Sequence, residues 1–273
     1  MTRCYRHADR RSGVTCQRCD RPICAACMSQ ASVGFHCPEC TSSGTPRFVR
    51  GSIAFDPVVT KGFVAVNVAM SLVALAWGGS LGRIGGRPFA DFSLFAPFVD
   101  QGEYHRIVTS AFLHDGLIHL GFNMWALWVM GPMLERTLGP ARLACLYGTS
   151  LLGGACGALL VSPLSPAVGA SGAVFGLFGA AAVAQRSAGF SIWQSGIGPV
   201  LGINLLLTFA IPQISIGGHL GGLVVGGVVA AAYVALARAG RGVGDAIAVA
   251  IVVGAGTTLA CVWAAAQWSS PLW

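Results

Sequence analysis

From about residue 58 onward the chain is a succession of long apolar runs, parted by short breaks rich in Gly, Pro and Arg. A helix needs ~20 apolar residues to cross a bilayer, and these runs are long enough. They predict seven spans, at about 58–80, 115–135, 141–162, 170–186, 191–211, 215–237 and 245–267. The stretch 83–113 is too long and too apolar for a simple solvated connection. Phe89, Phe92, Leu94, Phe95, Phe98 and Val99 favour short helices lying in the outer leaflet. Ahead of the runs come a polar head at 1–40 and a linker at 41–57 rich in Ser, Gly and Pro. The expected domains are therefore 1–40, the linker 41–57, a six-span core at 58–240, and a seventh span with the C-terminus at 241–273.

Composition sharpens this picture. Of 273 residues, 54% are hydrophobic and only 10% charged, against ~25% charged in a soluble domain. That excludes a soluble globular enzyme, a disordered chain and a coiled coil. The stretches 143–185, 187–237 and 246–273 contain no Asp, Glu, Lys or Arg. The formal charge of +7 reads as a topology signal and not as a nucleic-acid footprint. Arg47, Arg50, Lys61, Arg136, Arg142, Arg186, Arg238 and Arg241 fall on one side if the head is cytoplasmic. The other side receives Arg83, Arg87 and Arg106, diluted by Asp91, Asp100, Glu103 and Asp115. The expectation is a multi-pass protein of a bacterial plasma membrane, N-terminus inside and C-terminus outside. The head has no apolar stretch of the kind a cleaved leader requires.

Seven of the ten cysteines lie in the first 40 residues, in x2-spaced pairs: Cys4 with His7, Cys16 with Cys19, Cys24 with Cys27, Cys37 with Cys40. Such pairs favour metal over disulfides, and eight soft ligands suffice for two tetrahedral zinc ions. Forty residues are too few for a self-sufficient core, so metal would supply the folding energy. The pair order resembles the B-box zinc finger. That resemblance implies cross-bracing, with Cys4, His7, Cys24 and Cys27 on one structural zinc and Cys16, Cys19, Cys37 and Cys40 on the other. His36 stands beside Cys37 as an alternative ligand. Cys145, Cys156 and Cys261 read as small residues of the apolar segments.

Polar groups inside spans are costly and mark function. Here they are His119 and Asn123 in span two, Ser171 opening span four, Asn204 in span five and His219 in span six. Spans two, four and six run in the same direction, so His119, Asn123, Ser171 and His219 enter at similar depth. Gly218, Gly222 and Gly226 form a small-residue stripe on span six, and Gly172, Gly176 and Ala180 another on span four. Such stripes let backbones approach closely.

These residues stand in the segments His119-Leu120-Gly121-Phe122-Asn123, Gly169-Ala170-Ser171-Gly172 and Gly218-His219-Leu220-Gly221-Gly222, with Gly131, Glu135 and Gly139 in a Gly-x3-Glu-x3-Gly pattern. Over about 60–240 the chain resembles the rhomboid intramembrane serine proteases. The resemblance implies a six-helix bundle plus a seventh helix, with Ser171 as nucleophile and His219 as general base. It places the oxyanion at the Ser171 N–H and the side chains of His119 and Asn123. It matches Arg106 to the membrane-embedded first loop and His114 to a structural histidine. Two departures stand out: His105 where the family often has Trp, and Phe175 where it often has Tyr stacking on the base.

The implied reaction is peptide hydrolysis of transmembrane substrates near the extracytoplasmic face, without a catalytic cofactor. No intramembrane carboxylate is available to orient His219, so the pair reads as a dyad. The competing readings are an inactive rhomboid-like scaffold and a transporter or channel. The head is compatible with a cytoplasmic protein partner.

Overall fold

The computed structural model describes residues 2–30, 35–42, 55–78, 81–82, 85–193 and 196–268. Arg47, Arg50, Arg83 and most of the linker lie outside the described residues. The chain divides into two compact units, Met1–Asp56 and Pro57–Trp273.

The head unit holds two minimal hairpins. β1 (Val14–Thr15) pairs antiparallel with β2 (Pro22–Ile23), and β3 (Ser29–Gln30) with β4 (Phe35–His36). A 3-10 turn at Ala25–Cys27 and a five-residue helix α1 (Pro38–Ser42) complete it. Its buried cluster is Ile23 plus five cysteines: Cys4, Cys16, Cys24, Cys27 and Cys37. One aliphatic side chain is no hydrophobic core, so the sulfurs must provide cohesion.

The second unit is helical: α2 (Val58–Ala76), α3 (Gly86–Phe92), α4 (Ala96–Asp100), α5 (Arg106–Thr109), α6 (Gly116–Leu138), α7 (Pro140–Val161), α8 (Ser171–Ser187), α9 (Ile197–Ala210), α10 (Ile216–Arg238) and α11 (Val243–Ala266). This is a polytopic membrane protein. Its outside is apolar, with Ile118, Phe122, Trp125, Leu206 and Val252 all exposed, as lipid contact requires. Every expected span has a helix, and the stretch 83–113 carries the short helices α3, α4 and α5.

Length separates the seven. α2, α6, α7, α10 and α11 are long and apolar enough to cross a membrane. α8 has 17 residues and α9 has 14, which is ~25 and ~21 Å at 1.5 Å per residue, short of a ~30 Å hydrocarbon core. α8 has the length expected for 170–186, whereas α9 is shorter than the expected 191–211. α8 starts only after an irregular stretch at 162–170, and α9 starts at Ile197 because Gly196, at φ +82, closes the preceding turn.

α7, α8 and α10 form the centre. α10 carries two glycine faces. A methyl on Gly222 would strike the Gly172 backbone, and one on Gly226 the Gly176 backbone, both on α8. A methyl on Gly217 or Gly221 would strike Gly157 or Gly153 on α7. The α8 face matches the expected stripes. The α7 face is an additional one, and it makes α10 the shared wall of both interfaces. Arg238 donates to the Ser187 carbonyl at 3.2 Å, so α8 and α10 also end together.

Glu135 is 1% exposed and reaches from α6 to the start of α2, accepting from the Val59 and Thr60 N–H groups at 2.9 Å each and from the Thr60 hydroxyl at 2.7 Å. The carboxylate thus caps a helix N-terminus whose amides lack intrahelical partners. Gly131, one turn earlier, has the Thr60 side chain where a Cβ would sit. Gly139, at φ +83, ends α6 and lets α7 begin at Pro140.

Candidate active site

Ser171 opens α8. The irregular stretch before it is held by the first loop. Leu94 and Ala167 exchange two backbone bonds at 3.0 and 2.9 Å, Ala96 N–H donates to the Pro163 carbonyl, and Gly169 N–H to that of Ser110. Non-helical backbone at membrane depth needs such partners. The loop is itself pinned by Arg106, 3% exposed, which pairs with Glu103 at 2.7 Å, donates to the Ser93 carbonyl and lies over Phe98. His105, in the place of the family's Trp, bonds the Asp91 carbonyl at 3.1 Å through Nε2.

Two histidines approach the start of α8. His114 bonds the Ser71 hydroxyl through Nδ1 at 3.2 Å and accepts the Ala170 N–H through Nε2 at 3.5 Å. It thereby joins α2 to the residue before Ser171. His119 lies against Gly169, where a Cβ would be 2.9 Å from its Nε2, and Gly169 takes φ +123. Its Nδ1 accepts the Asp115 N–H at 3.2 Å. In a neutral imidazole the ring proton then sits on Nε2, the nitrogen facing Gly169. Asn123 is buried and spends one amide N–H on the His119 carbonyl at 2.9 Å, leaving the second. The Ser171 N–H belongs to the first turn of α8, where amides have no intrahelical acceptor.

His219 sits in the first turn of α10, 7% exposed. Ser215 caps that helix, accepting the Gly218 N–H at 3.0 Å. Phe175 stacks on the imidazole with centroids 4.0 Å apart and planes 19° apart, so the family's stack is kept without its hydroxyl. Nδ1 lies 2.7 Å from the Thr208 hydroxyl. Among the described residues His219 makes no hydrogen bond to Ser171. The two helices nevertheless touch backbone to backbone beside these residues, at Gly172, Gly218 and Gly222. A cavity of about 40 Å³ opens at Ser171, walled in part by Ser110, Gly154, Gly172, Ser215 and Gly218. A water needs ~10–15 Å³ on that scale, so the cavity can admit one.

Thr208 is the residue that sequence reasoning missed. Its signal was a hydroxyl in an otherwise apolar helix, one turn after Asn204 and just before the Ile211–Pro212 break. Asn204 itself is half-buried, with its amide N–H on the Val200 carbonyl.

The head contains two further constellations. Cys4, His7, Cys24 and Cys27 form one tetrad and Cys16, Cys19, Cys37 and Cys40 the other, each with all ligand atoms within 4.8 Å of one another. Either could hold a metal ion. His7 Nδ1 lies 3.9, 3.4 and 3.3 Å from the sulfurs of Cys4, Cys24 and Cys27, and Cys19 Sγ lies 3.7 Å from Cys37 Sγ. Tetrahedral zinc with Zn–S of ~2.3 Å and Zn–N of ~2.0–2.1 Å implies edges of ~3.6–3.8 Å, so the donor sets fit. Cys37 stands in the tetrad, and His36 lies on β4 outside it.

The thiols respond to one another as a ligand cluster does. Burial pushes the Cys4 and Cys16 thiols up, but backbone hydrogen bonds outweigh it and bring both down to about 6. Burial and the neighbouring thiols push Cys27 up to about 11 and Cys40 up to about 12. Without a cation each tetrad settles its negative charge unevenly. A divalent ion removes that competition.

The second unit is thus a helical membrane protein in which Ser171 opens α8, His119 lies against Gly169 just before it, and His219 sits on α10, which packs against α8 through glycines. Residues 101–236 match the rhomboid domain. The chain is 36% identical to rhomboid protease GluP of Bacillus subtilis over 192 residues, which is 67% of this chain and 36% of GluP. It is 45% identical to putative rhomboid protease YdcA of the same organism over 82 residues, 30% of this chain and 41% of YdcA. Inactive RHOMBOID-like protein 8 of Arabidopsis thaliana is 33% identical over 131 residues, 46% of this chain and 37% of that protein. The chain belongs to the rhomboid family. It spans less than half the length of GluP and of YdcA.

Proposed function

We propose that the protein is an intramembrane serine endopeptidase that cleaves transmembrane segments near the extracytoplasmic face. Ser171 is the nucleophile and His219 the general base. The observation that carries this reading is the way His219 is held. Its ring face rests on Phe175 and its Nδ1 on Thr208, which leaves Nε2 for Ser171 on the helix that α10 touches. The absent bond between the pair does not count against this reading, because catalytic hydrogen bonds often tighten only with substrate bound.

His219 takes the proton of the Ser171 hydroxyl as the oxygen attacks the scissile carbonyl, then gives it to the leaving amine. The oxyanion is met by the Ser171 N–H, Nε2–H of His119 and the free N–H of Asn123. Removing one such donor costs ~10²–10³ in turnover. The cavity at Ser171 admits the water that hydrolyses the acyl-enzyme. A substrate helix must unwind locally, since its carbonyls are otherwise bonded.

The head, taken as residues 1–40, binds two structural zinc ions through the two tetrads, and zinc supplies its folding energy. It lies in the cytoplasm and suits a protein partner there, as the basic residues Arg136, Arg142, Arg186, Arg238 and Arg241 share its side of a bacterial plasma membrane. Residues 58–240 form the six-helix catalytic core, and α11 places the C-terminus outside.

Purified protein should cleave a model transmembrane substrate, and Ser171→Ala should abolish cleavage without lowering the melting temperature. Equal cleavage by both would sink the protease reading. No cleavage by either, with substrate still bound, would favour the inactive-scaffold reading that an inactive relative keeps open.

A further inference from the structure

We propose that Thr208 is a positioning residue that fixes the tautomer of His219, so that the base is oriented by a hydroxyl relay where no carboxylate is present. This rests on the Ser171–His219 reading above and adds a third member to it.

Thr208 is 1% exposed, yet its neighbours Leu206, Leu207 and Phe209 all face outward. It is the one buried residue in the second half of α9. A helix that turns a single polar side chain inward, at the level of the base, does so at a cost unless the group is bonded. It is bonded twice, donating to the Asn204 carbonyl at 2.7 Å and lying 2.7 Å from His219 Nδ1.

A threonine hydroxyl has one proton and two lone pairs. The Asn204 carbonyl cannot donate, so it claims that proton. The hydroxyl can then only accept from His219, which must carry its ring proton on Nδ1. The chain of bonds runs from His219 Nδ1–H to the Thr208 hydroxyl to the Asn204 carbonyl. Nε2 is left as a lone pair, the form a base needs toward Ser171. When His219 takes the Ser171 proton on Nε2, the Nδ1–H stays bonded, and no further proton transfer is required. Phe175 supplies stacking but has no hydroxyl, so Thr208 provides the in-plane contact at Nδ1.

The test uses the full chain in detergent or bilayers with a model transmembrane substrate. Thr208→Val should lower kcat about three- to tenfold, the worth of one hydrogen bond, and leave KM unchanged. Thr208→Ser should recover kcat to within about twofold. The 15N resonances of His219, assigned by difference from His219→Ala, should show Nδ1–H in wild type and Thr208→Ser and a tautomer mixture in Thr208→Val. An Nε2–H tautomer in the wild type, or a Thr208→Val variant with unchanged kcat, would overturn the proposal. A serine variant as slow as the valine variant would do so too, since packing alone would then explain the loss. Ser171→Ala separates the two readings. If it still cleaves, the dyad fails. If it is inert while Thr208→Val is indistinguishable from wild type, only the relay fails.

Discussion

In the head, Cys4 and Cys27 belong to a tetrad that could hold a metal ion, and the buried cluster is five cysteines with Ile23. In the membrane unit, Ser171 and His219 are carried to neighbouring positions by two helices whose glycines leave no room for a methyl group. The first arrangement is held by the site itself and fails with it. The second is held by the scaffold, and the site can be erased while the scaffold stands. On the proposed reading the head's tetrads act as a folding device once metal binds, whereas Ser171 and His219 draw on stability supplied elsewhere.

The largest expected effect breaks that comparison on the side of the head. Stripping zinc with a chelator should unfold residues 1–40, since structural zinc is worth ~10–16 kcal/mol in small fingers. Limited proteolysis should then cut the head while the melting temperature of the membrane unit stays put. Joint unfolding of both units would show that the membrane unit depends on the head. Acid should act in the same direction. Cys4 and Cys16 are held down at about 6, against the usual 9.0. The stability they contribute is complete above pH 9 and lost as pH falls through about 6. Metal release followed by a chromogenic chelator should accelerate as pH falls, because protons compete with the ion for the thiolates.

Next comes the scaffold. Gly222→Val should force α8 and α10 apart at Gly172, costing about 3 kcal/mol or more, and should lower both melting temperature and cleavage. A stable, fully active variant would show that the close approach is dispensable. Glu135→Gln should cost about 1–3 kcal/mol, because a neutral amide replaces a buried carboxylate that accepts three hydrogen bonds. Thermal melts should show that loss with kcat in the surviving folded fraction unchanged. At the lower end, Arg87→Ala removes an ion pair to Asp91 whose arginine is 90% exposed. It should change stability by less than about 0.5 kcal/mol, within error in the same melts.

Much of both units was legible beforehand, for different reasons. The x2 spacing of the cysteine pairs names its own chemistry, and the two tetrads group the ligands as the B-box resemblance implied. Apolar runs announce helices because lipid demands them, and seven of the helices fall where the runs do. What escaped notice depended on lateral packing. The second glycine face of α10, against Gly153 and Gly157, looks in sequence like more glycine. Glu135 stood out as part of a Gly-x3-Glu-x3-Gly pattern, which names no partner, yet its carboxylate caps α2. The expected span 170–186 already had the length of α8, but α9 starts six residues later than the expected 191.

By itself the sequence determined the class of solvent each segment meets and the candidate reactive groups. Both follow from local composition: apolar length selects lipid, paired thiols select a soft metal, and a serine or histidine is costly in a span unless it is used. Only the tertiary structure decided which nitrogen of each histidine is engaged and which helix supports His219. Those depend on where a neighbouring helix places one hydroxyl or one amide to within an ångström, and no periodicity along a single strand of chain encodes a distance between two of them.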